Sequence, residues 1–339
     1  MRILVLHAWL KGNLGDVLQL SVLLRALRNL KPGRLDLAGF PARPALETGE
    51  VLHLVDRYLP DTFPWYWSMS PALAGRLMFE PWWASRRRSM FAGYDAIVCA
   101  PGPYLADYDR RASSALCDLA VARELGKPVV LASHSIGPLQ PPALSTVATA
   151  TLRVAREPST FKYLSDHGIA AVRSADLAFL YPYQPPAGRA PGRSYRLVFL
   201  RSNNLDARQL RCEQGALFDG PRLIAAAAAD PIVLATSDYR RDARFLSRAA
   251  RGLGVPFVAC RSVTELVALV TGSSAVVSDR YHPAICAAVL GKPAQVVPNR
   301  EPHKMRGLEC LLGDNSLEAL QTLARAGLNA VCDAIRGHA

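Results

Sequence analysis

The chain has 339 residues, half of them apolar, which is material for two buried cores of ordinary domain size. Forty Lys and Arg against 28 Asp and Glu leave a formal net charge of +12, which suits an anionic partner: nucleic acid, an anionic lipid surface or a phosphorylated small substrate. The arginines are scattered apart from Arg86-Arg87-Arg88, and no zinc finger, RNA-binding aromatic signature or basic tail is present, so nucleic acid is not an expected partner. Seven Cys, none in a C-x-x-C pair and several inside apolar runs, read as buried small hydrophobes in a reducing compartment, not as a disulfide frame or metal site. The apolar run after Met1 is too short for a signal peptide, and no stretch reaches the ~18 apolar residues of a membrane span. The expected location is the cytoplasm, with peripheral contact at the inner face of a membrane as a further expectation.

In chain order, Val/Ile/Leu-rich runs with little alternation predict parallel strands at Ile3–His7, Ala96–Ala100, Val129–Ser133, Leu152–Ala155, Leu197–Leu200, Ile232–Thr236, Ala275–Ser278 and Ala294–Val297. Helical periodicity marks Asp16–Leu30, Ser113–Leu125, Arg241–Leu253, Val263–Thr271 and Pro283–Leu290. Three helical segments end in the same way, at Gly126-Lys127-Pro128, Gly254-Val255-Pro256 and Gly291-Lys292-Pro293: a C-terminal cap glycine, then a proline before the next strand. The alternation predicts a doubly wound α/β class. The Pro- and Gly-rich stretch 181–194 divides it into two Rossmann-like domains, 1–180 and 195–315, with a last helix over 316–339 that packs back on the first. An irregular zone over 63–88 carries Trp65, Trp67, Trp82 and Trp83 and closes on the triple arginine. It reads as a membrane-contacting or sugar-stacking segment or as a hydrophobic flap. Two such domains leave a cleft between them at the carboxyl ends of their strands, where open α/β sheets bind ligands.

The residues that follow the predicted strands carry the chemistry. Strand one leads into Lys11-Gly12-Asn13-Leu14-Gly15-Asp16 and a helix, which is not a G-x-G-x-x-G turn and so predicts no dinucleotide. Asp16 is either a helix cap or a carboxylate at the cleft mouth. Pro101-Gly102-Pro103-Tyr104 through Asp107, and His134-Ser135-Ile136-Gly137-Pro138, predict two further turns on the same rim. Arg156-Glu157 reads equally as a site or as an ion pair. Arg201 sits just beyond the strand Leu197–Leu200. The strongest segment is Val276-Val277-Ser278-Asp279-Arg280-Tyr281-His282-Pro283. An arginine fork at a strand end and helix start is an anion site, and His282 is a proton donor beside it. Lys304 is a second phosphate ligand or an ordinary exposed lysine.

The order of these pieces resembles the polysaccharide pyruvyl transferase family. The match runs through Asn13-Leu14-Gly15-Asp16, Ile136-Gly137-Pro138-Leu139, Arg156-Glu157 before Tyr163-Leu164, Asp176-Leu177-Ala178-Phe179, Arg280-Tyr281-His282, Gly291-Lys292-Pro293 and Lys304. It covers nearly the whole chain. One departure stands out: where the family often carries a run of glycines, this chain has Ala100-Pro101-Gly102-Pro103, and prolines remove N–H donors.

The resemblance implies a GT-B-like fold, phosphoenolpyruvate as donor and a sugar of a cell-surface polysaccharide, or its lipid-linked precursor, as acceptor. The product would be a pyruvyl ketal. Arg280, Lys304 and Arg201 would hold the donor, His282 would be the general acid and Asp16 the base. Asn13, Gly15, Gly102, Tyr104, Ser135 and Gly137 would line the acceptor side or the cleft rim. No metal and no cofactor are expected. Two other readings compete: a GT-B glycosyltransferase or epimerase using a nucleotide sugar, with Glu301 as its only tempting ribose ligand, and a non-catalytic relative.

Overall fold

Runs too apolar to alternate become parallel strands covered by helices on both faces. The computed structural model describes residues 1–40, 49–60, 81–107, 109, 111–185, 194–205, 209–226, 229–297 and 302–338. Its first sheet contains β1 (Arg2–Trp9), β2 (Arg34–Phe40), β3 (Arg57–Pro60), β4 (Ala96–Cys99), β5 (Gly102–Leu105), β6 (Val129–Ile136), β7 (Leu152–Ala155) and β8 (Val172–Arg173). The order is β3-β2-β1-β4-β6-β7-β8, with every pairing parallel. Around it lie α1 (Leu14–Asn29), α2 (Gly49–Leu52), α3 (Pro81–Ala92), α4 (Arg111–Glu124), α5 (Pro141–Ala148) and α6 (Pro158–Asp166). The core packs Leu4, Leu6, Ile97 and Leu131 of the sheet against Phe91, Leu119 and Val147 of the helices.

The turn predicted from Pro101 is in large part a strand. β5 resumes the line of β4 along β6, pairing Gly102 with His134 and Leu105 with Ile136. Pro103 is tolerated there because β5 pairs with β6 alone among the described strands, so the missing N–H faces no ladder.

The second sheet contains β9 (Arg196–Phe199), β13 (Ile232–Thr236), β14 (Phe257–Ala259), β15 (Ala275–Ser278) and β16 (Ala294–Val296) in the order β14-β13-β9-β15-β16, all parallel. Between β9 and β13 the chain forms an antiparallel meander, β10 (Leu210–Glu213), β11 (Ala216–Asp219) and β12 (Arg222–Ala225). Its first turn places Gln214 and Gly215 at φ 48° and 77°, the left-handed pair of a tight hairpin. Helices α7 (Tyr239–Leu253), α8 (Val263–Thr271), α9 (Tyr281–Val289) and α10 (Pro302–Asp314) complete this part, and α11 (Leu317–Arg336) ends the chain. Gly126, Gly254 and Gly291 sit past helix ends at φ 62°, 68° and 67°, a conformation that disfavours any side chain.

The chain divides into two units. Unit 1 comprises Met1–Lys11, Gln19–Leu180 and Glu318–Ala339; unit 2 comprises Gly12–Leu18 and Tyr181–Leu317. Within unit 1, α11 packs closely enough that a Cβ on Gly327 would collide with the Ser174 side chain, and the Ser174 hydroxyl donates to the Leu323 carbonyl at 3.3 Å. The Asn13–Asp16 turn is part of unit 2, the unit that also holds Arg201, Arg280, His282 and Lys304.

Candidate functional site

Sheet order brings the unit 2 residues together. β9 is central, with β13 and β15 on either side, so the residues just past their carboxyl ends are neighbours: Arg201 after β9, Asp238 after β13 and Arg280 after β15. Arg280 caps the start of α9 in extended conformation and is fixed by Ser278, whose hydroxyl accepts from the Arg280 N–H at 3.0 Å and donates to its carbonyl at 2.7 Å. Its guanidinium is buried. One arm meets Asp242 and the other lies 3.7 Å from Asp238.

Asp242 is fully buried and saturated. It accepts from the Ser202 N–H at 3.1 Å, the Ser202 hydroxyl at 2.8 Å and the Thr236 hydroxyl at 3.2 Å, besides Arg280. Asp238 is partly occupied in capping α7 through the Arg241 N–H. Burial, then the charge of Arg201, push the Arg280 guanidinium down to about 9, with Arg241 adding to the effect and Asp238 and Asp16 opposing it. Arg280 is thus a buried cation held by two aspartates with Arg201 and Arg241 acting on it, and the first-turn amides of α9 add the positive end of a helix dipole at the same edge.

The Asn13–Asp16 turn docks on this edge. Asn13 bridges to Asp238, and the Leu14 N–H donates to the Ser237 carbonyl at 2.9 Å. The Asn13 amide then orients Asp16, donating to its Oδ2 at 2.9 Å, while Asn13 Oδ1 accepts from the Gly15 N–H at 3.2 Å. Gly15 lies against the His282 imidazole so closely that a Cβ would occupy the position of the ring's Nδ1 and Cγ. Glycine is thus a steric requirement of the His282 position. The Lys304 ammonium sits 5.3 Å from the centre of the Tyr281 ring, between Arg280 and His282 in sequence. Of the residues that sequence reasoning singled out in unit 2, the structure gathers Asn13, Gly15, Asp16, Arg201, Arg280, His282 and Lys304 around the ends of β9, β13 and β15. Asp238, Asp242 and Ser202 were missed.

In unit 1, of the residues singled out by sequence, Gly102 and Tyr104 are buried and Ser135 and Gly137 are half-buried. Tyr104 is buried and donates its hydroxyl proton to the Ala100 carbonyl at 2.8 Å. Its oxygen is left to accept from His134 Nε2, also at 2.8 Å. Gly102 makes room for the Tyr104 ring, and Gly137, at φ 102°, for Tyr163. The Ser135 hydroxyl binds Glu157 and accepts from Arg156 Nε at 2.8 Å. Arg156 is fully buried and also reaches Asp176 at 3.0 Å and Gln19 at 3.0 Å. Asp176 in turn accepts from the Ala178 N–H at 2.8 Å. The Arg-Glu and Asp-x-Ala-Phe motifs are therefore two halves of one buried network.

Sequence reasoning also passed over His7. Its Nε2 lies 3.2 Å from Asp118, which Arg87 meets at 2.8 Å. Burial first, then Arg87 and Arg111, lower the His7 imidazole to about 3. His7 and Ser133 take left-handed φ of 62° and 54°, each at a break in register, β1 against β2 and β6 against β7. These bulges turn both strands' polar side chains inward.

Residues 61–80 and Glu301 lie outside the described residues, so most of the aromatic zone over 63–88 and the one candidate ribose ligand have no structural account. From that zone Arg87 is buried on Asp118 and Arg88 pairs with Glu124 at 2.7 Å. Among the described residues no group of three or more His, Cys, Asp or Glu could hold a metal ion, and no helix is long and apolar enough to cross a membrane.

The sequence model of the polysaccharide pyruvyl transferase family matches residues 13–301. No curated protein sequence matches the chain. Solved structures do. A protein from Listeria monocytogenes assigned as a UDP-N-acetylglucosamine 2-epimerase is similar with a TM-score of 0.61 and 14% identity, over 100% of this chain and 96% of that one. The UDP-GlcNAc 2-epimerase of Methanocaldococcus jannaschii, in complex with UDP-GlcNAc and UDP, gives 0.57 and 12% over 96% and 93%. That of Neisseria meningitidis, bound to UDP-GlcNAc, gives 0.53 and 11% over 99% and 100%. At these identities the likeness establishes the fold alone: α/β, of the GT-B type with two Rossmann-like parts.

Proposed function

The chain belongs to the polysaccharide pyruvyl transferase family, and from that premise we propose that it transfers the pyruvyl group of phosphoenolpyruvate to two hydroxyls of one sugar, in a polysaccharide or its lipid-linked precursor. The observation that carries this reading is the buried Arg280, crowded by Arg201 at the carboxyl edge of a parallel sheet. Phosphoenolpyruvate carries a phosphate and a carboxylate on one carbon, two anionic groups that several neighbouring cations suit. Arg201 takes one anionic group and Lys304 the other, while Arg280, held by Asp242 and Asp238, adds positive charge behind them.

The reaction then divides among neighbouring residues. His282, two positions from Arg280, gives a proton to C3 of the enol, and C2 becomes electrophilic. A sugar hydroxyl adds to C2 and loses its proton to Asp16, which Asn13 holds in place. The C2–O bond to phosphate breaks, phosphate leaves with the electron pair, and the second hydroxyl closes the ketal. Two protons leave the sugar; one ends as the third hydrogen of the new methyl group and one on phosphate. The arginines stabilise the leaving phosphate, so they act on the transition state as well as on binding.

The test is phosphate release from phosphoenolpyruvate with a panel of free and lipid-linked oligosaccharides, for wild type and His282→Ala. Release that requires both an acceptor and His282 supports the reading. Release by His282→Ala at the wild-type rate removes His282 from the chemistry. No release with any acceptor, together with tight binding of a UDP-sugar, overturns the donor.

A further inference from the structure

Helix α7 carries an excess of arginines, of which only Arg241 bears on Arg280. Its exposed positions are Arg240, Arg241, Arg244, Arg248, Arg251 and Gly252. At 3.6 residues per turn the five arginines fall within about 100° of arc, along a line about 16 Å long. The opposite face, with Leu246, Ala249 and Ala250, is buried in the core of unit 2 with Leu234 and Leu217. The helix has one acidic residue, Asp242, and it is buried against Arg280. Arg241, Arg244, Arg248 and Arg251 have no ion pair among the described residues.

Arginines four apart repel and weaken the helix that carries them. Some exposed basic residues elsewhere are balanced, Arg88 by Glu124, Lys162 by Asp166, Arg211 by Glu213 and Arg336 by Asp333, while the exposed face of α7 gathers its arginines on one arc with no acidic residue among them. For Arg241, Arg244, Arg248 and Arg251 a bound partner can supply the counter-charge. All five residues are arginine, whose planar fork matches phosphate oxygens. The exposed positions hold no aromatic to stack on bases and no large apolar side chain to insert into a bilayer. A flat array of phosphates, met by charge alone, is the complementary surface.

We propose that the α7 arginine stripe is a docking surface for the anionic phospholipid headgroups of a membrane. This goes beyond the transferase reading and does not depend on the donor's identity. The association is peripheral and electrostatic, strong at low salt and lost at high salt.

The experiment is co-flotation of the full chain with vesicles of phosphatidylcholine alone or mixed with phosphatidylglycerol. Wild type is expected to float with the mixed vesicles only. Arg244→Glu/Arg248→Glu/Arg251→Glu is expected to lower the partition coefficient by about tenfold or more, three basic residues being removed from the surface. A control with the same change in net charge, Arg123→Glu/Arg173→Glu/Arg325→Glu in unit 1, is expected to keep most of the binding. If circular dichroism shows that the first variant does not fold, the glutamine triple Arg244→Gln/Arg248→Gln/Arg251→Gln replaces it, with a smaller loss expected. Absence of wild-type flotation overturns the proposal, and so does equal loss in stripe and control variants, which would assign binding to net charge. Binding to polyuridylate that the stripe variant loses, without vesicle binding, overturns it in favour of a nucleic-acid surface.

Discussion

A methyl group on Gly15 would stand where the His282 imidazole now lies. Gly15→Ala should therefore displace the ring and cost about 1–3 kcal/mol of stability, the range for overpacking a tight contact. The double variant Gly15→Ala/His282→Ala should recover most of that stability while phosphate release stays abolished. Denaturation of the two variants decides it, and a Gly15→Ala protein as stable and active as wild type would sink the contact. The two arginines should differ in kind. Arg201→Met should leave the fold intact and weaken phosphoenolpyruvate binding at least about tenfold, the loss of one charge-assisted contact to an anion. Arg280→Met should also expose Asp242 as an uncompensated buried charge and cost about 3–5 kcal/mol. Calorimetric titration with phosphoenolpyruvate and chemical denaturation of each variant separate the two effects. Arg201, Arg280 and His282 were legible because a charged residue directly after an apolar strand marks a carboxyl edge. Asp238 and Asp242 were not. In sequence they read as the opening of a helix, and nothing local says that β13 neighbours β9.

At the scale of elements, one side chain ties four of them. Arg156, just after β7, binds Ser135 of β6, Gln19 of α1 and Asp176 ahead of the single-turn helix Leu177–Leu180. Arg156→Met should destabilise unit 1 by about 3–5 kcal/mol, because Glu157 and Asp176 would keep buried charge without their cation. A denaturation midpoint within error of wild type would refute that. The same network shows where sequence reading stops. Arg156-Glu157 was open between site and ion pair, and only the meeting with Asp176, twenty residues on, decides its structural part. Strands such as Ile232–Thr236 and Ala275–Ser278 were readable residue for residue because burial on both faces leaves an unbroken apolar run. β2 was not, since Asp36 interrupts it; that carboxylate is buried and meets the half-exposed Arg34 together with the Tyr94 hydroxyl. The meander β10–β12 was missed for a different reason. Its strands are four residues each and carry Arg211, Glu213, Asp219 and Arg222, so no apolar period appears.

Over the whole molecule, the response to acid should originate in unit 1. His7 is held at about 3 by burial, Arg87 and Arg111, and His134 well below its ordinary value by burial, Arg156 and His7. In the unfolded chain each takes up a proton near pH 6.5. Between pH 6.5 and the depressed folded values the unfolded state therefore binds more protons. The stability these neutral imidazoles contribute is fully present above 6.5 and is lost as pH falls, by up to about 1.4 kcal/mol per pH unit for each histidine. Trp9 stacks on Phe40 within unit 1, so tryptophan emission is sensitive to the unfolding of that unit. Guanidinium titrations read by tryptophan emission from pH 7 to 5 should show stability falling with acid. The window lies above the ordinary carboxylate range, so the histidines dominate it. His134→Gln should remove about half of that slope even if it lowers stability at every pH, because the slope counts protons and not contacts. A slope unchanged in His134→Gln would mean that His134 already carries its proton in the folded state, and that the buried Tyr104–His134 pair is not neutral.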